Sequence, residues 1–569
     1  MRLLLSLALF LLWPIANDAA NLHVRTTGGG SASCADWTTN VCTLARARAL
    51  VARGDSIYIA NGEHNAACSG TPSSLRWTTA ASGSTFINIY AATIASHGVE
   101  TGWDNSFGVD SAPATFTDCR IAFDTSYWRW DGQLRDTETT GHGFKVISDD
   151  TALFFLMAAG VDNTSNFIIR YTELDGECRN CIASTAPGLD GFRLVKSNGS
   201  TNTDLTVEYN YVHRMSGRLV LIANWSGSNN IFQYNYMTEN RSTASQHSEG
   251  LAGGGLTMTW RYNKMYDVEG TGFLVCLNVA STGCVYTIHS NVFGYTSGWT
   301  GTGVGNGLID GINSLSCAGW QVFNNTIDFG TPLANETLRM DRSDCTGANW
   351  DVRNNLWFCP SSETCRADHT GSGLTLNNNS YYKGNAGASM TFTAGTGDIT
   401  STSDPFTAQA SLNYHLSTNV ANRSASALDP LADYDGVTFT TSGGAFQFVT
   451  GGTPLVQLSV SSLSFAETQI ESQAANQTVT LTNAGNADLT TIVVSATGDG
   501  VLVSTSPATN CGSTLAASAT CTITIAFKPK ATGARTGTIS ITSNAASSPD
   551  SISLTGTGKG IFTFGGAKP

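Results

Sequence analysis

The chain of 569 residues is poor in charge: Asp, Glu, Lys and Arg make up 13%, and acids outnumber bases 43 to 30, for a net charge of −13. General nucleic-acid binding needs a cationic surplus on one face, so that class is excluded. After the N-terminal segment no stretch approaches about 18 apolar residues, so no membrane span is expected there. Helical periodicity is almost missing; apolar residues alternate or fall in short runs, as strands do. Zinc-type spacing is missing too. Cys178-x-x-Cys181 is a lone pair without a second pair at zinc distance.

What the chain does have is repetition. Leu205-Thr-Val-Glu-Tyr-Asn210, Ile231-Phe-Gln-Tyr-Asn235, Met258-Thr-Trp-Arg-Tyr-Asn263 and Trp350-Asp-Val-Arg-Asn-Asn355 are versions of one phrase. The closing residues are Asn210, Asn235, Asn263, Asn291, Asn325, Asn355 and Asn379, at intervals of 25, 28, 28, 34, 30 and 24 residues. An earlier copy, Phe167-Ile-Ile-Arg-Tyr171, is followed by Thr172 instead. A period in this range marks a solenoid, whose repeats bury their faces against each other. Asn carries a donor and an acceptor, so stacked copies at a bend satisfy one another and the turn backbone. A second strand per coil is expected where glycine opens an apolar run, at Gly143, Gly191, Gly217, Gly250 and Gly272.

Two strands per coil with loops of varied length resemble the right-handed parallel β-helix of the pectate-lyase-like superfamily, over roughly residues 22–450. The resemblance implies an all-β fold and a long groove on one face. The opening is similar to that of secreted β-helix proteins. An amphipathic segment at 43–52 caps the coil, and Gly54-Asp-Ser-Ile-Tyr-Ile-Ala60 starts the first turn. Asp433-Tyr-Asp-Gly-Val437 followed by Gly443-Gly-Ala-Phe-Gln-Phe448 resembles the closing segment of such proteins. From Leu455 about seven short Thr/Ser-rich strands indicate a β-sandwich. Its phrases around Val479-Thr-Leu-Thr-Asn483 and Cys521-Thr-Ile-Thr-Ile-Ala-Phe527 resemble Ig-like domains of the ASPM/SPD-2/hydin group.

The expected plan is a signal peptide at 1–20, a β-helix at 21–450, a linker at 451–454, an Ig-like sandwich at 455–558 and a flexible tail at 559–569. Arg2, the apolar run Leu3 to Leu12 and small residues at Ala16, Ala19 and Ala20 carry the export signal. The 14 cysteines suit disulfides in an exported chain. Close spacing pairs Cys34/Cys42, Cys178/Cys181, Cys276/Cys284, Cys359/Cys365 and Cys511/Cys521, leaving Cys68/Cys119 and Cys317/Cys345.

For chemistry, the position just before the strand-opening glycines holds His142, Asp190, Ser216, Glu249 and Thr271. Asp190, Arg218, His247 and Glu249 are expected as one polar cluster on neighbouring coils, with Lys264 on the next. Uronate elimination needs a cation to neutralise the carboxylate and a base for the adjacent ring proton. Arg218 or Lys264 serves the first role, and His247 or Lys264 the second. Hydrolysis needs two carboxylates, for which Asp190 and Glu249 are available. No motif demands a cofactor, but Asp175, Glu177 and Asp190 offer oxygens suited to calcium. The pectate-lyase patterns "WxDH" and "RxPxxR" are absent. The expected function is a secreted or cell-surface polysaccharide lyase on an extracellular, uronate-containing polymer. The alternatives are a glycoside hydrolase and a non-catalytic adhesion protein that binds glycans. The Ig-like domain is expected to contact the cell surface or other proteins.

Overall fold

The computed structural model describes residues 19–560 except for internal stretches. These are 149–153, 157–164, 178–189, 196–202, 242–247, 278–283, 313–318, 331–339, 342–348, 425–431, 448–453, 504–510 and shorter ones of one to four residues. The first part is a parallel β-helix of three long sheets. Sheet A has 12 strands, from Asn21–Gly29 to Leu374–Asn377, and sheet B has 12, from Gly62–Glu63 to Ile399–Ser401. Sheet C has 9, from Ser74–Trp77 to Met340–Asp341. Each coil therefore carries three strands, not the two expected from the glycine openings. The strand at Phe144–Ile147 belongs to sheet B, whereas Phe192–Val195 belongs to sheet C. The glycines before them mark different corners.

The bend from sheet A to sheet B is two residues long, which is why the two strands merge in the sequence. Its first residue is left-handed in eight successive coils: Tyr171, Tyr209, Tyr234, Tyr262, Ser290, Asn324, Asn354 and Asn378, with φ of 53–58°. Asn enters this region readily, whereas Tyr pays for it. The tyrosines recover part of that cost by stacking at centroid distances of 4.9–5.1 Å and angles of 4–12°. The second residue is the buried asparagine. Asn210 donates from Nδ2 to Asn235 Oδ1 at 3.0 Å, and the same bond recurs from Asn235 to Asn263 at 2.9 Å and onward to Asn379. Thr172 begins the ladder by donating its backbone N–H to Asn210 at 3.1 Å, and Asp398 ends it by accepting from Asn379 N–H at 2.8 Å.

Inside the helix the alternate residues of all three sheets form one core that includes Trp77, Trp130, Trp260, Trp320 and Trp350. The helix Leu44–Leu50, N-capped by Thr43, covers its open end and buries Leu44 and Ala47. The outer face of sheet B is divided. From Tyr266 onward it is apolar (Tyr266, Val292, Leu356, Phe358, Tyr382), and Phe406, Tyr414, Leu416 and Phe446 from the following segment cover it. Before Tyr266 the outward residues are mostly polar, and among the described residues that apolar cover does not extend over Lys145, Glu173 and His213.

Beneath that cover lies Asp328, which accepts from Tyr414 Oη at 2.8 Å, Gly330 N–H at 2.9 Å and the Gln409 amide. Burial pushes its carboxyl up to about 6, and burial does the same to Asp267 and Asp433. These groups bind a proton more tightly folded than unfolded. Their contribution to stability is full below about pH 4 and is lost as pH rises through 6. Thermal melts should therefore fall between about pH 4.5 and 7, and Asp328→Asn should flatten the profile; an unchanged slope in D328N would remove Asp328 from the effect.

Residues 456–559 form a sandwich. One sheet pairs Val456–Leu458, Gln477–Asn483, Thr520–Phe527 and Gly500–Leu502; the other joins Ser462–Ser464, Asp550–Lys559, Gly533–Thr542 and Val493–Gly498. Val479, Leu481, Ile523, Ile539 and Ile552 meet between them. Among the described residues five disulfides are formed: Cys34–Cys42, Cys68–Cys119, Cys276–Cys284, Cys359–Cys365 and Cys511–Cys521. The expected pairs Cys178/Cys181 and Cys317/Cys345 lie outside the described residues.

Candidate functional site

Three of the residues expected to cluster do meet, at the entry to sheet C. Strand register there aligns Phe192 with Val220 and Val220 with Leu251, which stacks Asp190, Arg218 and Glu249 on successive coils. Ser216 and Thr271 fall beside this column, and His142 enters sheet B instead. Arg218 donates from Nε to Glu249 at 3.2 Å, and its backbone N–H donates to Asp190 at 3.0 Å. Arg218 Nη1 lies 3.6 Å from Asp190, and Thr271 Oγ1 donates to Glu249 at 2.6 Å. Asp190 and Glu249 are buried, at 1% and 0% exposure. Burial pushes the Asp190 carboxyl up, against the pull of Arg218. His247 lies outside the described residues.

The geometry is that of a charge sandwich: one guanidinium between two buried carboxylates. Removing one partner of such a set strands the others. Arg218→Met should cost about 3 kcal/mol or more in a denaturant melt; a change under about 0.5 kcal/mol, the range of ordinary surface substitutions, would show the set to be decoration.

Lys264 is not part of this cluster. It opens a strand of sheet B, at a different corner, and pairs with Glu138 at 2.8 Å under the ring of Tyr434, whose centroid is 4.7 Å away. It leads to a second set of residues. Relative to the ladder residue, sheet B turns positions one and three outward and position two into the core. The first outward column runs Lys145, Glu173, Tyr211, Tyr236, Lys264. The second runs Ile147, Asp175, His213, Thr238. Leu174, Val212, Met237 and Met265 lie buried between them. Five coils at the usual strand spacing give a face about 19 Å long.

Its centre is dense in chemistry. His213 Nε2 lies 3.1 Å from Glu173 Oε1, and Lys145 Nζ donates to the same oxygen at 2.7 Å. Arg214 and Lys145 both pair with Asp175, the latter at 3.5 Å. Burial alone would raise the Glu173 carboxyl, but His213 and Lys145 bring it down to about 2. Tyr211 stacks on His213 at 3.9 Å and 6°. Burial, then Glu239 and Glu173, pushes the Tyr211 phenol well up, so it holds its proton at neutral pH. Toward Lys264 the face deepens into a cleft of about 950 Å³, lined by Arg135, Tyr236, Tyr266, His415, Tyr434 and others. Arg135 lies over the Tyr209 ring, 4.9 Å from its centroid.

The calcium set offered by the sequence is divided in the fold. Asp175 faces Lys145, His213 and Arg214, while Asp190 faces Arg193 and Arg218. Glu173, Asp175 and His213 do converge, with donor atoms within 4.8 Å of one another. Sequence reading missed Lys145, Glu173, Tyr211, His213 and Arg214. For Glu173, Tyr211 and His213 the signal was available as positions one and three beyond a ladder residue; Arg214 follows one place later, and Lys145 precedes the ladder.

Comparison with known proteins bears on the two domains separately. Residues 456–551 match the family model described as ASH, the abnormal spindle-like microcephaly-associated, ASPM-SPD-2-Hydin domain. Pectate lyase Pel9A is similar at 14% identity over 76% of this chain and 97% of that chain, with a TM-score of 0.35. The ASH/PapD-like domain 7 of human CEP192 is similar at 15% identity over 19% of this chain and 89% of that chain, with a TM-score of 0.15. The secreted serine protease VesC from Vibrio cholerae is similar at 16% identity over 17% of this chain and 21% of that chain, with a TM-score of 0.14. No curated protein matches the chain. The fold assignment rests on the strand pairing described above.

Proposed function

We propose that the chain is an exported, carbohydrate-active protein that binds an acidic polysaccharide along the polar part of the outer face of sheet B and cleaves it by β-elimination. The observation that carries this reading is His213, oriented by Glu173 and stacked on Tyr211, on an outer face bounded by Lys145 and Lys264. Export is supported by the leader pattern and by the disulfides. Elimination asks for a cation at the uronate carboxylate, a base for the proton on the adjacent carbon, and an acid for the departing glycosidic oxygen. Arg214 and Lys145 supply the first, exchanging their hold on Asp175 and Glu173 for the substrate. His213 takes the proton as the double bond forms. Tyr211 gives its proton to the leaving oxygen, and Tyr236 offers a flat surface to a neighbouring sugar.

Calcium at the Glu173–Asp175–His213 group is a weaker fit. An imidazole among the donors suits a borderline transition metal better than a hard cation. Hydrolysis by Asp190 and Glu249 is disfavoured because Arg218 fills the space where sugar and water would have to enter. The second reading, adhesion without turnover, is favoured by the appended Ig-like domain. Purified protein incubated with uronate polymers decides between them. New ultraviolet absorbance from the double bond supports elimination. Reducing ends without that absorbance mean hydrolysis, and retention without product means adhesion.

A further inference from the structure

The capped end of the β-helix holds a second cluster that the proposed function does not use. His23 lies on the first strand, Asn21–Gly29, whose neighbours Leu22 and Val24 point into the core. His97 closes the short helix Ile94–His97, and Glu100 follows three residues later. The His23 Nδ1–H donates to the Cys34 carbonyl at 3.0 Å, which leaves the lone pair on Nε2. That atom lies 3.5 Å from Glu100 Oε2. His97 Nδ1 lies 2.9 Å from the same oxygen, yet out of line for a hydrogen bond. Neither ring nitrogen of His97 has a hydrogen-bond partner among the described residues, although the residue is only 2% exposed. A buried imidazole with no aligned hydrogen bond, held only beside a carboxylate, is costly and suits a shared cation between the two.

We propose that His23, His97 and Glu100 bind a divalent transition-metal ion of the zinc type, which ties the first strand to the loop after the third strand of sheet A. The three donor atoms lie within 4.8 Å of one another. Tetrahedral ligands at bonds of about 2.0–2.1 Å stand about 3.3 Å apart, so the observed 3.5 and 2.9 Å bracket the need. The surroundings are those of a supported site. A backbone carbonyl orients one imidazole, and Trp37 Nε1–H donates to the Glu100 carboxylate at 2.8 Å. Trp37, Tyr58 and Trp103 wall the His97 ring at 4.4–5.1 Å and keep water away from it. Glu100, with its side chain 36% exposed, leaves a path for entry and a position for water. Two imidazoles and one carboxylate favour zinc over magnesium or calcium, which take oxygen.

The test uses the full chain, stripped with a chelator and titrated with cobalt(II), whose visible absorption reports coordination by nitrogen and oxygen. One equivalent should give bands that zinc(II) abolishes by displacement. His97→Gln and Glu100→Gln should each lose them while the metal-free proteins melt as wild type does. His23→Gln serves as the second imidazole variant should H97Q fail to fold. Failure of the wild type to take up cobalt in excess would overturn the proposal. So would bands that survive in H97Q, H23Q and E100Q, or that vanish in His213→Gln instead.

Discussion

Asn263→Leu should destabilise the β-helix by about 3 kcal/mol or more, among the largest effects of any conservative-sized substitution in the chain. Asn263 Oδ1 accepts from both the backbone N–H and Nδ2 of Asn235, at 3.1 and 2.9 Å. Its own Nδ2 donates to Asn291 Oδ1, to the Phe232 carbonyl and to the Arg261 carbonyl. Leucine removes all of these while leaving the partners buried, and each orphaned group costs about 1–3 kcal/mol. Leucine has the same number and branching of side-chain heavy atoms, so no cavity is left and the polar partners are what is lost. The measurement is a denaturant melt of the β-helix transition. Position 262, one residue earlier, is the contrast. Tyr262→Asn places a residue tolerant of φ near 53° there and forfeits ring contacts and one half-buried hydroxyl bond to the Ala432 carbonyl, so it should cost less. A small effect at 263 would mean that the ladder follows the fold rather than holding it.

His213→Ala should lower turnover on an acidic polysaccharide by about 10²–10⁴, the usual cost of a general base. The ring is buried against Tyr211 and Glu173, so a denaturant melt of His213→Ala accompanies the assay, and the loss of turnover is read on folded protein. Tyr211→Phe keeps the stacking surface and removes only the proton. It should reduce turnover while retaining substrate, which separates its role as acid from any role as platform. Lys264→Ala, at the far end of the face, should weaken binding more than it slows the chemical step. Loss of folding in all three variants would leave the face structural. Wild-type rates in H213A and Y211F would remove the proposed base and acid together.

The coil was legible because its bend demands one residue type at each turn. Seven asparagines at nearly even spacing cannot be explained by loop composition, and they prove to be the hydrogen-bonded ladder. The third strand was not legible, for a physical reason. Only the left-handed residue and the asparagine separate sheet A from sheet B, too short a break to announce a new strand, so the phrase closes at Asn210 and Tyr211–Met215 is passed over. The glycines were a poorer guide. Gly191 stacks on Leu219 rather than on Gly217, so counting from glycine misplaced Ser216 where Arg218 belongs. Counting from the ladder would have placed Glu173, Tyr211, Tyr236 and Lys264 in one column. The asparagine is a fixed point of the coil, and loop lengths enter only on the way to sheet C. The charge sandwich of Asp190, Arg218 and Glu249 illustrates the limit of chemistry read without geometry: the residue types suit acid–base work, but one guanidinium already engages both carboxylates.

The most direct test of the account is a crystal structure of the inactive His213→Ala protein soaked with an acidic oligosaccharide. The account predicts sugar density along the outer face of sheet B, from Lys145 past Tyr211 and Tyr236 toward Lys264, with a uronate carboxylate at Arg214 or Lys145. Density over the entry to sheet C, against Arg218 and Glu249, with sheet B left bare, would contradict it.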